Sequence, residues 1–259
     1  MTRGMFLRTS LLGLTASSLP ANTSEENSFS HRLCNRFYKI EGSSELRGQR
    51  LLVLADIHYG CCFGEQETKI LSAKVSALKP DLIFFAGDLA HKPTTDLTGF
   101  LANWNSPGKH YFAPGNHDIP LLPEDNHTVL AQLKESMIHV LNNDKIVFGD
   151  YNVIGMSSGL CGNPDFTLLD SNYNLVIGHE PDLWDRYQGS VLHLAGHTHG
   201  GQVQILGHPL LLPSLGQKYS QGLYSKSADN NLIVSRGIGA SGFNVRIGCP
   251  PEIVVVDFI

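Results

Sequence analysis

Short apolar runs recur along this chain, and each is followed at once by aspartate, asparagine or histidine. Residues 51–55 (LLVLA) lead into Asp56-Ile57-His58, residues 82–86 (LIFFA) into Gly87-Asp88, and residues 110–113 (HYFA) into Gly115-Asn116-His117-Asp118. Farther on, residues 174–177 (NLVI) lead into Gly178-His179, and residues 191–195 (VLHLA) into Gly196-His197-Thr198-His199. Apolar runs of this length, bounded by glycine and polar residues, read as buried strands. Helical periodicity separates the first three. Leu71, Val75 and Leu78 share a face in residues 65–78, Leu97, Phe100, Leu101 and Trp104 fall at i, i+3, i+4 and i+7, and Leu130, Leu133 and Met137 group within residues 127–137. Strand and helix in alternation predict right-handed βαβ crossovers and a parallel sheet. Loops leaving the C-terminal ends of such strands line one edge, so Asp56, His58, Asp88 and Asn116 should converge although they are far apart in sequence.

The second half is richer in strands. Residues 145–148, 152–154, 202–205, 232–235 and 253–257 join the two runs already named, and 181–187 is the one expected helix. A hydrophobic fraction of 42% is enough for a sizeable core, so a compact α/β body is expected. Net charge is −5, which gives no basic footprint, and a nucleic-acid partner is not expected. Cys34, Cys61, Cys62, Cys161 and Cys249 are odd in number and show no C-x-x-C spacing, which argues against a disulfide framework and a thiolate zinc site. Residues 1–21 carry Arg3 and Arg8 ahead of a modest apolar stretch ending in Pro20-Ala21, as an export signal or membrane-surface anchor would, and the run is too short to span a bilayer. Residues 22–35 read as a linker, and the folded domain is expected over 36–259.

Singly, these polar residues decide little: an aspartate after a strand can be a cap, and a buried histidine can be a hydrogen-bonded core residue. Their ordered recurrence decides more. The series Asp56-x-His58, Gly87-Asp88, Gly115-Asn116-His117-Asp118, Gly178-His179 and Gly196-His197-Thr198-His199 resembles the calcineurin-like metallophosphoesterase superfamily over roughly residues 50–259. The tail, with Gly200-Gly201-Gln202, Ser235-Arg236-Gly237 and residues 246–253, is similar to the YaeI/YkuE-like bacterial phosphodiesterases.

The resemblance implies a four-layer α/β/β/α sandwich with a dimetal site at strand C-terminal ends. It also implies roles: Asp56, His58 and His199 for one metal, Asn116, His179 and His197 for a second, and Asp88 bridging both. His117 would hydrogen-bond substrate and protonate the leaving oxygen, and Asp118 would orient His117. Many members have aspartate where this chain has His91, which leaves the partner of His117 open. Arg236 and Arg246 are candidates for substrate phosphate, with a structural salt bridge as the equal alternative. Carboxylate, amide and imidazole ligands without thiolate suit Mn²⁺ first, with Fe or Zn²⁺ as alternatives. The chemistry fits a phosphodiester, a poor anionic electrophile that two divalent ions can neutralise while acidifying a bound water toward a pKa of about 7.

The expected substrate is therefore a small phosphodiester or pyrophosphate, in one version lipid-linked, such as UDP-2,3-diacylglucosamine. Membrane-surface association in a bacterial cell envelope goes with that version. A phosphomonoesterase or protein phosphatase on the same fold, and a non-catalytic scaffold, are the rivals. Selectivity is expected in the loops at 60–64, 93–95 and 207–222.

Overall fold

The computed structural model describes residues 29, 32–120 and 128–259. The leader at 1–21, the linker through residue 28 and the beginning of the third expected helix lie outside the described residues. In chain order the strands are β1 (Cys34–Ile40), β2 (Arg50–Leu54), β3 (Leu82–Ala86), β4 (Lys109–Ala113), β5 (Ile138–Val140), β6 (Asp144–Phe148) and β7 (Tyr151–Gly155). They continue with β8 (Tyr173–Ile177), β9 (Val191–Ala195), β10 (Gln204–Ile205), β11 (His208–Pro209), β12 (Gly222–Ser227), β13 (Asn230–Val234) and β14 (Glu252–Phe258). Helices α1 (Glu65–Ala77), α2 (Thr98–Asn103) and α3 (Val129–Lys134) all precede β5.

Two six-stranded sheets result, in the orders β1-β14-β2-β3-β4-β5 and β12-β13-β9-β8-β7-β6. Strands β2 to β5 run parallel, as do β7, β8, β9 and β13. The alternation of side chains along β2 explains how the sheets stack. Leu52 and Leu54 face the helices, packing in one core with Leu71 and Val75 of α1, while Leu51 and Val53 face the second sheet in a core shared with Leu175 and Leu192. Both faces are apolar, so the strand reads as a continuous run. Each such side chain, fully buried, contributes roughly 1.5–3 kcal/mol.

The outer face of the second sheet is covered differently. Leu183 and Trp184, from the 3₁₀ segment Pro181–Arg186, pack with Tyr187 on Val176, Val191 and Leu232. The α-helix expected at 181–187 is thus a 3₁₀ helix, held by the Asp182 carboxylate, which accepts the backbone N–H of Gln217 and of Lys218. The fourth layer is thin, but it closes the sandwich.

Two further expectations are corrected. The third helix stops at Lys134, so Met137 lies beyond it and is 59% exposed instead of sharing the buried face of Leu133. Chain packing also begins ahead of residue 36: β1 starts at Cys34 and pairs parallel with β14, and Phe29 and Leu33 are buried in the helix-side core. No helix among the described residues is long and apolar enough to cross a membrane.

Candidate metal centre

Every expected metal ligand sits within a few residues of the end of β2, β3, β4, β8 or β9, where the two parallel blocks end. The backbone there is unusual. Asp56, His58, Asp88, His197 and His199 all have φ between 49 and 72°, the left-handed region that costs a non-glycine residue about 1–2 kcal/mol. Such a turn bends the chain sharply off the strand, so that Asp56 and His58 serve one cluster. Glycine is required where these turns touch: at Gly87, with φ of 78°, a Cβ would collide with the His179 ring, and at Gly115 it would collide with the Asp88 carboxylate.

Asp56, His58 and His199 form one group of donor atoms, and Asp56, Asp88 and His179 form another, each within 4.8 Å. His199 Nε2 lies 3.1 Å from His58 Nε2 and 3.6 Å from Asp56 Oδ1. His179 Nε2 lies 3.2 Å from Asp88 Oδ2 and 3.9 Å from Asp56 Oδ1, and His58 Nε2 is 3.8 Å from Asp88 Oδ2. Asp88 therefore touches both groups, the position a bridge requires. Backbone contacts fix these side chains from behind. The N–H of His197 donates to both Asp56 oxygens, at 2.9 and 3.1 Å, and the N–H of His117 donates to Asp88 Oδ1 at 2.8 Å. His179 Nδ1 donates to the Ala86 carbonyl at 2.9 Å, which orients the ring and leaves Nε2 to the carboxylates.

Charge and burial conflict in this pocket. Burial pushes the Asp56 carboxyl up to about 7, against the pull of His179. Burial acts on Asp88 as well, yet His179, His58 and His117 hold it well below the usual carboxylate range. His179 is buried too, and the two carboxylates nevertheless hold its pKa well above the ordinary value. Burial drives His58 down to about 3 and His199 well below its usual range. Two buried carboxylates this close to one another call for positive charge between them. A divalent cation meets the same need better, and the unpartnered buried atoms agree: Asn116 Oδ1 and His58 Nδ1 have no hydrogen-bond partner. The nearby thiol, Cys249, donates to the His199 carbonyl at 3.2 Å, so the available donors are oxygen and imidazole nitrogen. The residues present fit a metal pair.

His197 stands slightly apart. It falls outside both donor groups; its Nε2 donates to the Ser214 carbonyl at 2.8 Å, and its ring lies edge-on to His179 at 4.9 Å. Nδ1 is then the ring nitrogen it could offer to a metal. The partner of His117, which the sequence left open, is the main chain of residue 91: Nδ1 donates to the His91 carbonyl at 2.8 Å. Any side chain at 91 can supply that contact. The His91 ring itself joins a third group of nitrogens with His58 and His117.

The geometry corrects the role expected of Asp118 and gives both arginines structural contacts. Asp118 does not orient His117; fully buried, its carboxylate accepts the backbone N–H groups of Asp88, Ala90 and Gly115, and so ties the β3 and β4 loops together. Arg236 is committed to Glu252, with Nε and Nη2 both 2.6 Å from Oε2, which is the structural salt bridge and not a phosphate contact. Arg246 donates to the carbonyls of Gly239 and Arg236, and its Nη2 lies 3.2 Å from His199 Nδ1. Neither arginine lines the groove over the cluster.

Sequence reasoning also missed supporting residues. Glu180 is fully buried beside His179 and accepts the Ser158 hydroxyl and the Gly159 N–H, anchoring the loop after β7. His193 is fully buried on β9 and donates from Nε2 to the Gly178 carbonyl at 3.1 Å, under the His179 turn. A charged residue directly after a ligand, and a histidine inside an apolar run, were the available signals.

The profile of the family described as calcineurin-like phosphoesterase matches residues 49–212. Among curated relatives, the chain is 30% identical to "Phosphodiesterase YaeI" of Escherichia coli (strain K12), across 81% of this chain and 82% of that one. It is 27% identical to "Uncharacterized metallophosphoesterase YkuE" of Bacillus subtilis (strain 168), across 80% of this chain and 78% of the relative. It is 25% identical to "UDP-2,3-diacylglucosamine pyrophosphatase LpxG" of Chlamydia muridarum (strain MoPn / Nigg), across 82% and 84%.

Proposed function

The chain belongs to the calcineurin-like phosphoesterase family, a metal-dependent phosphoester hydrolase by that membership, and from this premise we propose that it cleaves phosphodiester or pyrophosphate bonds with two divalent ions, Mn²⁺ foremost. One observation carries the reading: Asp88 touches both donor groups in a buried pocket that holds unpartnered oxygen and nitrogen atoms. Asp56, His58 and His199 would hold one ion, Asn116, His179 and His197 the other, and Asp88 would serve both. When bound, such ions supply the positive charge a phosphoryl transfer needs and ionise water near neutral pH.

The protein's own residues do the rest. Asp118 fixes the two loops that carry Asp88 and Asn116, and Arg246 backs the His199 ring. The His91 carbonyl holds the His117 Nδ1 proton, so the proton delivered to the leaving oxygen sits on Nε2. The substrate class we favour is a nucleotide-linked lipid precursor such as UDP-2,3-diacylglucosamine, supported by the likeness to the chlamydial pyrophosphatase and by the leader read at residues 1–21, which suits an envelope enzyme.

The test compares bis(p-nitrophenyl) phosphate, p-nitrophenyl phosphate and UDP-2,3-diacylglucosamine at fixed Mn²⁺, with metal content measured in parallel. Diester or pyrophosphate turnover that a chelator abolishes is expected. Faster turnover of the monoester would favour the phosphatase reading, and full activity without bound metal would sink both.

A further inference from the structure

The groove above the donor cluster, about 660 Å³ in volume, has two unlike walls. Asp88, Asn116, His117 and His197 form one; Leu210, Leu211, Leu212, Pro213 and Phe243 form the other. The apolar wall is not a buried core. Phe243 is 83% exposed, Leu211 82% and Leu210 56%. Single apolar residues in water are ordinary, but a cluster along one rim of a site marks a surface with a ligand.

This wall is fastened to the ligand-bearing turn. Gln202, three residues after His199, donates from Nε2 to the Phe243 carbonyl at 2.7 Å and to the Ser241 carbonyl at 3.2 Å, and its Oε1 accepts the Ser241 N–H at 3.0 Å. Gly201, with φ of 76°, lies so close to Pro209 that a Cβ would collide with it. The distance from the apolar side chains to the cluster is therefore set by short-range contacts and does not depend on a long loop. Among the described residues no lysine or arginine lines the groove, so an acidic peptide finds no cation there.

We propose that this groove is the subsite for the aliphatic part of the substrate: the protein acts on an amphiphilic phosphoester whose alkyl or acyl chain lies on Leu210, Leu211 and Phe243 while its phosphate sits at Asn116 and His117. The inference rests on the hydrolase reading above and adds the residues that select for the chain. The occupant is part of the substrate molecule. A phosphate at the polar wall leaves its substituent nowhere more favourable to lie than against the facing apolar one.

The test is a series of p-nitrophenyl alkyl phosphate diesters, methyl, butyl and octyl, each below its micelle concentration, with Mn²⁺ at saturation. For the native sequence kcat/KM should rise with chain length by about fourfold for each methylene that becomes buried, levelling when the groove is filled. In Leu211→Ser and Phe243→Ser the octyl-to-methyl ratio should collapse toward one. Leu206→Asn, at the tip of the adjoining hairpin and outside the groove lining, should keep the native ratio and serves as the folding and surface control. Hydrolysis of the methyl diester with a flat response to chain length would overturn the subsite and leave the hydrolase reading standing. No hydrolysis of any diester would sink the hydrolase reading and the subsite with it. A flat response combined with binding to phosphatidylglycerol vesicles that Leu211→Ser abolishes would overturn the proposal in favour of a membrane-docking rim.

Discussion

The floor of the cleft and its apolar rim share a backbone feature for opposite reasons. On the floor, Asp56, His58, Asp88, His197 and His199 all adopt left-handed φ and are buried. At the rim, Leu206 adopts φ of 51° with Gly207 at 81°, in the two-residue turn between β10 and β11, and is 95% exposed. The floor's strain is held by strands on both sides and by carboxylates that accept backbone N–H groups, so the surroundings over-determine it. The rim's turn is closed by a two-residue ladder, Gln204 with Pro209 and Ile205 with His208, and by the Leu210 N–H, which donates to the Val203 carbonyl. Rigidity under the reacting atoms and adaptable apolar surface beside them is a division that lets one chemistry serve different substrates.

The comparison breaks most decisively at Asp88. Asp88→Ala removes the carboxylate that lies between His58 of one donor group and His179 of the other, and should lower turnover by more than about 10³-fold, beyond the loss of a single transition-state donor. Metal content should fall with it; retained metal and activity would show that the floor does not depend on a bridge.

His117→Ala is next. General acid catalysis contributes about 10²–10⁴-fold, and a nitrophenolate leaves readily without a proton. The loss in kcat/KM should be near the top of that range for an alkyl leaving group and smaller for an aryl one, whereas Asn116→Ala should depress both alike. Equal losses in His117→Ala would reduce His117 to a positioning residue.

A support beneath the floor gives a pH signature. Burial holds the His193 imidazole down at about 3, so the native state stays unprotonated while the unfolded chain takes up a proton below about 6.5. The folded-state value is depressed, so the stability contribution is present above 6.5 and is lost as pH falls toward 3, by about 1.4 kcal/mol per pH unit within that window. Urea unfolding of native protein and His193→Gln across pH 4–7 reads it. The variant's stability should decline less steeply, by about one proton, and parallel curves would refute the assignment.

The smallest effect belongs to the rim. Asparagine tolerates left-handed φ where leucine is strained, so Leu206→Asn should stabilise the protein by about 0.5–1 kcal/mol. Thermal or urea denaturation checks it. Destabilisation would mean that Leu206 has a contact worth more than its backbone cost, and that the rim is less independent of the floor than its exposure suggests.

By itself the sequence determined where the strands of both sheets' centres lie and which residues end them, because a strand buried on both faces must be apolar at every position and a polar residue at its end stands out. Leu82–Ala86 and Val191–Ala195 have the boundaries their composition dictates, and Asp88 and His199 follow from them. Edge strand β1 was not legible, since Asn35, Arg36 and Phe37 are exposed and its register with β14 joins residues from opposite ends of the chain. Nor were the tasks of Asp118, Arg236, Arg246 and Glu180. Tertiary structure alone decided those, since their partners are backbone groups and distant side chains: an aspartate that ligates and one that binds three N–H groups are the same letter, and only the path of the main chain around each separates them.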